Sequence, residues 1–215
     1  METVLDVYQG TYDGRHVLIC MDEASRQIVS DVSPPLPARP RRGEKPGSWK
    51  RVDDKYVRQG VRSLLLFYNP LDGWRRIGCR ESRTRVDWAE EVRQLLEQDY
   101  PNAETVTLVC DNLNTHSLAS LYHRFDAETA GNLRHRLNLV FTPKNGSWLN
   151  MAEMELSVLS RQCLRDRRFG TAEALDAAIE AWTAQRNTRR CGTTWRFTTT
   201  EARVKLQSLY PKHDI

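Results

Sequence analysis

Two aspartates stand where apolar runs end. Asp22 follows HVLICM (16–21), and Asp111 follows TVTLVC (105–110). A carboxylate inside or just beyond a buried strand is costly unless it is paired or bound to a metal. The carboxyl ends of strands in an open α/β sheet are where ligands sit, so two such aspartates could share a divalent cation. Taken singly, each also suits a cap or a turn, and Asp111-Asn112 ahead of a helix fits that role well. A third candidate lies in WLNMAEMELS (148–157). There Leu149, Ala152, Leu156, Leu159 and Cys163 recur at helical spacing as a core-facing stripe. Glu153 and Glu155 fall about equally far from its centre, on opposite flanks. Periodicity leaves both open, and either could be a solvated helix residue.

These acids need elements to position them. His16–Ala24 reads as a strand, with Gln27–Val32 as its hairpin partner across Ala24-Ser25-Arg26. Ser33–Lys50 holds five of the nine prolines and cannot be a regular helix or a central strand. Val61–Asn69 and Trp74–Arg80 read as strands joined by the turn PLDG. Thr84 opens a helix carrying Val86, Ala89, Val92, Leu95 and Leu96, closed by Pro101-Asn102. Thr105–Cys110 is almost wholly apolar, as in the centre of an α/β sheet. A short helix over Ser117–Phe125, a strand over Leu137–Phe141, and helices over about 148–167, 172–187 and 199–209 complete the order. Strands first, then β-α-β-α units, then helices: this is an α/β layer with an antiparallel hairpin at its start.

Composition narrows the classes. The 215 residues carry 32 Lys and Arg against 28 Asp and Glu, a net +4 that permits a nucleic-acid partner without demanding one. No apolar run approaches the roughly 18 residues of a membrane span, and no signal peptide is legible at the start. The five cysteines (20, 79, 110, 163 and 191) form no CxxC pair, which argues against a zinc ribbon; Cys20 and Cys110 read as buried thiols of a reducing compartment. The charge is uneven. From Pro34 to Arg62 nine Lys or Arg oppose three acids, a local +6 that exceeds the net charge of the whole chain. Arg186, Arg189, Arg190 and Arg196 form a second basic cluster.

MDEA (21–24), CDNLNTH (110–116) and FTPKNGSWLNMAEMELSVLSRQ (141–162) together resemble the DDE transposases, and most of all the bacterial insertion-sequence branch of the Tc1/mariner superfamily. WRFTTTEARVKLQSLYP (195–211) resembles the same branch. The resemblance covers almost the whole chain and implies a ribonuclease H-like fold, a mixed sheet flanked by helices, as one DDE catalytic domain over 1–215. A basic Pro-rich loop at 33–60 and C-terminal helices at 171–210 would belong to it. It implies Asp22, Asp111 and Glu153 as catalytic metal ligands, because the family motif places the glutamate three residues after Asn150; Glu155 is then its neighbour. The 42 positions from Asp111 to Glu153 exceed the spacing usual in that superfamily, and the excess is assigned to a surface insertion at 126–138.

The implied chemistry is metal-dependent phosphodiester cleavage followed by strand transfer, as in a cut-and-paste transposase. Two Mg²⁺ ions, with Mn²⁺ as substitute, would be held on hard carboxylate oxygens. Asn112, His116, Lys144, Asn145, Trp148 and Asn150 are candidates for supporting the acids or contacting DNA. His116 could equally face solvent, and core packing is the commoner fate of a residue such as Trp148. Arg39, Arg41, Arg42, Lys45, Lys50 and Arg51 would meet the DNA backbone. The expected partner is double-stranded DNA, both transposon ends and target, with a homodimer or a partner that carries the helix-turn-helix module. Such modules precede the catalytic domain in full transposases of this branch, and none is legible before the first strand. The implied location is the bacterial cytoplasm, at the nucleoid, with no membrane partner. Two rivals remain: a ribonuclease H-like nuclease without strand transfer, and a non-catalytic fragment that binds DNA or full-length transposase and modulates it.

Overall fold

The computed structural model describes residues 1–43, 47–49 and 51–210. Five strands form one sheet: β1 (His16–Asp31), β2 (Tyr56–Asn69), β3 (Trp74–Arg80), β4 (Thr105–Cys110) and β5 (Leu137–Phe141), in the order β3-β2-β1-β4-β5. The β1–β2 and β2–β3 pairs are antiparallel; β1–β4 and β4–β5 are parallel. The sheet is therefore mixed, with β1 at the junction between its antiparallel and parallel halves.

The expected hairpin within 16–32 is not there. β1 runs unbroken through Ser25 and Arg26, which pair with Ser63 and Arg62. None of Ala24, Ser25 or Arg26 is a glycine, proline or asparagine that would turn the chain. The antiparallel partner is β2 instead. The register shifts by one residue between Ile28 and Val29, opposite Gly60 at φ 134°, a backbone state that glycine reaches readily.

Helices cover both faces. On one side α2 (Arg85–Gln94), α3 (Leu118–Arg124) and α4 (Ala127–Arg136) pack on Val17, Ile19, Met21, Val106 and Leu108. Thr84 and Asp87 close a capping box that starts α2, as the sequence predicts, and a wider π-helical turn, Leu95–Asp99, ends it. The stretch 126–138 is not a surface insertion. Asp126 caps α4, whose Ala130 and Leu133 are buried, and Leu137 and Asn138 already belong to β5.

On the other side lie α1 (Glu2–Tyr8), α5 (Met151–Leu159), α6 (Ala172–Thr188) and α7 (Thr199–Lys205). Only α1 is absent from the sequence reading. Its Val4, Leu5 and Tyr8 are buried, and the Tyr8 hydroxyl donates to the Leu149 carbonyl at 2.6 Å. The helix expected from residue 148 begins at Met151 instead. A 3-10 turn, Ser147–Leu149, precedes it, and a π-helical turn, Ser160–Leu164, follows it. Among the described residues no helix is long and apolar enough to cross a membrane.

Beyond the sheet, β1 and β2 project together as a two-stranded arm. Single bridges, Leu36 with Arg51 and Arg39 with Ser48, extend the pairing into the Pro-rich segment. Arg168 secures the base of the arm, donating to Asp31 at 2.6 Å and to the Asp53 carbonyl at 2.8 Å.

Candidate active site

β1 and β4 run parallel, with Cys20 opposite Val109. Two residues further along each strand stand Asp22 and Asp111, side by side at the carboxyl end of β4. The amino end of α5 meets them through Asn150. Its Nδ2 donates to the Met21 carbonyl at 2.8 Å, and its Oδ1 accepts from the Ala152 amide at 3.1 Å as the N-cap. One amide thus binds the residue before Asp22 to the first turn of the helix that carries Glu153.

Asp22 feels the other two acids. The carboxyl pKa of Asp22 is pushed up to about 6, first by burial and then by the charges of Glu153, Asp111 and Glu23. Asp111 behaves oppositely: the bond from His116 holds its carboxyl below the ordinary value. His116 is 1% exposed, so it does not face solvent. Its Nδ1 lies 2.6 Å from Asp111 Oδ1 and its Nε2 lies 3.0 Å from Glu23 Oε1. Burial alone would lower the imidazole pKa, but the bonds to Asp111, Cys110 and Glu23 override it and push it up to about 11. Both ring nitrogens therefore donate at neutral pH.

A match to the family of DDE superfamily endonucleases covers residues 17–176, which include all three acids. The chain belongs to that family. Its fold is also that of Mos1 transposase, as seen in a paired-end complex with the left transposon end (TM-score 0.56, 14% identity, 88% of this chain and 56% of that one). The Mos1 strand transfer complex (TM-score 0.57, 14% identity, 88% and 54%) and the mariner Mos1 paired-end complex with Mg (0.57, 14%, 98% and 61%) give the same answer. This chain thus spans little more than half the length of those structures. Among curated proteins none matches it. The ribonuclease H-like architecture expected from the sequence is the one observed.

In this member of the DDE superfamily endonuclease family, burial separates the two glutamates. Glu155 is buried in an arginine clamp: Oε1 lies 2.8 Å from Arg75 Nε, and Arg186 donates through Nε and Nη2 at 2.8 and 2.9 Å. It is neither solvated nor open to a cation. Arg75 comes from β3 and Arg186 from α6, so no local spacing announces the clamp. It also takes Arg186 out of the second basic cluster. Glu153, in the first turn of α5, is only partly buried.

Hard carboxylate oxygens on Asp22, Asp111 and Glu153 are the donor set that Mg²⁺ or Mn²⁺ prefers. The pKa of Asp22 is raised first by burial and then by the neighbouring acids, a combination that a bound cation would relieve. Both bonds to the Asp111 side chain fall on Oδ1, so Oδ2 is the oxygen left to face an ion. Among the described residues no three His, Cys, Asp or Glu side chains are already gathered closely enough to enclose a metal. The donor set is thus an open one rather than a ready-made metal cage.

The remaining candidates fall around a cleft of about 670 Å³ lined by Asp111, Asn112, Lys144 and Asn145. Lys144 and Asn145 are exposed on a tight turn, with Asn145 at φ 62°. Gly146 follows because a Cβ there would strike Pro143. Trp148 is not core: it is 43% exposed and stacks on Trp195 with ring centroids 6.5 Å apart. Arg39, Arg41, Arg42 and Arg51 are exposed on the arm, away from this cleft; Lys45 and Lys50 lie outside the described residues. Glu23 is the participant that the sequence reading omits.

Two predictions follow from the charges. Glu155→Gln leaves Arg75 buried without its counter-ion and is expected to cost about 3–5 kcal/mol. Glu153→Gln relieves repulsion on Asp22 and leaves the Tm unchanged or higher; chemical denaturation of both variants checks the contrast. Asp22 titrates higher in the folded state, so between its ordinary 3.8 and about 6 the folded chain holds a proton that the unfolded chain has released. That contribution to stability is full below the window and is lost as pH rises through it. Asp22→Asn is therefore expected to raise the Tm at pH 7 and leave it unmoved at pH 3.5, which thermal melts in EDTA will measure.

Proposed function

We propose that this chain is the catalytic part of a cut-and-paste DNA transposase that cleaves and rejoins phosphodiesters at transposon ends. The observation that carries the reading is the setting of Asp22, a half-buried carboxylate that feels Glu153 and Asp111, with Asp111 itself on the wall of an open cleft. Three acids brought toward one end of the sheet suit a pair of divalent cations. Asp22, Asp111 and Glu153 would hold the ions between them. Mg²⁺, or Mn²⁺ in its place, would supply an activated nucleophile and charge relief at the leaving oxygen. A 3′-hydroxyl could take the place of water in the same site, turning hydrolysis into strand transfer without further residues.

The chain's own residues serve binding and orientation. Lys144 stands on the cleft wall as a cation for a phosphate, and Asn112 and Asn145 offer amides beside it. Asn150 holds the Glu153 helix against β1. Trp148, half exposed beside the same turn, offers a ring face to DNA. The arm presents Arg39, Arg41, Arg42 and Arg51 to a DNA backbone, with Lys45 and Lys50 in the same run. It also exposes Leu36, Trp49, Val52, Tyr56 and Val57, a surface suited to a second copy of the chain or to a subunit that brings end recognition. Mos1 transposase, whose fold this chain shares, is seen in complexes with transposon-end DNA, which favours double-stranded DNA as the partner here.

Nicking of supercoiled plasmid in Mn²⁺ at low salt tests the reading. The wild-type chain is expected to nick, and Asp22→Asn, Asp111→Asn and Glu153→Gln are expected to lose activity by several orders of magnitude while keeping their fold. Equal nicking by wild type and Asp111→Asn would place the activity elsewhere. Binding without nicking by any of them would favour the non-catalytic fragment. For the arm, the slope of log affinity against log salt is expected to fall by about 0.9 for each phosphate contact removed in Arg39→Ala, Arg41→Ala and Arg42→Ala. Duplex titrations between low and physiological salt measure it.

A further inference from the structure

We infer that Glu23 is a positioning residue for the metal site, acting through His116 on Asp111. The inference rests on the assignment of Asp22, Asp111 and Glu153 as the cation ligands. Glu23 follows Asp22 directly, and alternation along β1 sends the two side chains to opposite faces. The paired residues on β2 agree: Asp22 lies opposite Leu66, which packs on the α5 side, and Glu23 opposite Leu65, which packs on the α2 side. Glu23 is thus on the opposite face of β1 from Asp22 and is not a fourth ligand.

What Glu23 touches is His116. The ring bridges Glu23 Oε1 at 3.0 Å and Asp111 Oδ1 at 2.6 Å, almost wholly buried, with Trp88 beside it at 5.9 Å between ring centroids. The other Glu23 oxygen has no hydrogen-bond partner and stands 3.9 Å from Arg83. A carboxylate in that setting has one firm bond, the one to His116, and so its removal frees the ring to rotate. Asp111, half exposed and one residue past the end of β4, would then lose the contact that sets which of its oxygens faces the cation. Partners that orient a ligating side chain from behind are typically worth about 10–100-fold in metal affinity.

The geometry couples the two aspartates in one unit. Glu23 is fixed to the backbone next to Asp22, and through His116 it fixes Asp111. The spacing between the carboxylates thus follows the β1 backbone rather than the segment after β4 alone.

The test is Mn²⁺ binding by the full 215-residue chain, followed by the electron paramagnetic resonance signal of the free ion, well below the Tm of every variant. Glu23→Ala and His116→Ala are each expected to weaken Mn²⁺ binding by about 10–100-fold. The double variant is expected to be no weaker than His116→Ala alone, because the two residues act in series. Glu23→Gln keeps an acceptor for the ring and is expected to restore most of the affinity. A merely structural role would lower the Tm of the alanine variants and leave the affinity of the folded protein unchanged, which overturns the inference. So does full additivity in the double variant. Should Glu23→Ala fail to fold, His116→Asn, too short to span both carboxylates, carries the same expectation. If Mn²⁺ binds wild type and Asp22→Asn alike, the ligand assignment itself falls and takes this inference with it. If Asp22→Asn abolishes binding and Glu23→Ala does not affect it, only the inference falls.

Discussion

Like charges must be held at one end of this sheet against their own repulsion, and much of the molecule can be understood from that constraint. Desolvation and neighbouring carboxylates both act to neutralise Asp22. The opposing hold comes from elements that are themselves deeply packed. β1 and β4 are buried on both faces up to the acids, so neither strand can splay to let the charges separate. The third acid arrives on a helix whose start is bonded to β1 by Asn150. The strain of charge crowding is thus carried by the core rather than relieved within the site. This arrangement is useful to a cation site and costly to anything else.

Two kinds of buried carboxylate show the difference. Glu91 and Glu155 are both nearly inaccessible, yet each is neutralised by arginines: Arg76 and Arg80 for the first, Arg75 and Arg186 for the second. Both clamps draw on β3, the strand at the antiparallel edge, and tie it to the helices on either face. Gly78 lies between them in β3 because a Cβ there would collide with the Glu91 carboxylate. Asp22 has no such arginine among its influences; they are burial, one backbone amide and other acids. The fold neutralises Glu91 and Glu155 with arginines and gives Asp22 none, while Asp111 has His116 beside it.

How much of this was legible depended on how local each cause was. β3, β4 and β5 follow from short apolar or alternating runs bounded by turn residues, and the sequence reading matches their limits. The start of α2 follows from Thr84 and Asp87, four residues in all. The hairpin expected within 16–32 failed because a change from apolar to polar residues looks like a strand ending. In a long strand it means only that the strand runs on into a less buried stretch, where Ile28 still packs on the core. α1 was missed because seven residues carry little periodicity; its helix is stabilised by packing against Leu18, Cys20 and Val140. The choice between Glu153 and Glu155 could not come from periodicity, since the arginines that claim Glu155 stand 80 positions before it and 31 after. The family motif pointed to Glu153 for its own reasons, and the clamp supplies a physical one.

The residues after Asp111 show how far a side chain's environment can lie from what the local sequence suggests. CDNLNTH puts a histidine five positions beyond an aspartate, which by itself suggests a polar loop open to solvent. The chain turns instead. The Asp111 side chain accepts from the Leu113 amide, and the His116 amide bonds back to the Leu113 carbonyl, which folds the ring under the sheet. There it meets Glu23, a residue 93 positions earlier whose only sequence distinction is to follow Asp22. A buried imidazolium between two carboxylates also carries positive charge to the underside of an acidic cleft, where it offsets part of the repulsion without occupying the space a cation needs. The loop of Asp111 is therefore a structural arm of β1 as much as an extension of β4. The two aspartates at its ends are positioned by one continuous set of contacts.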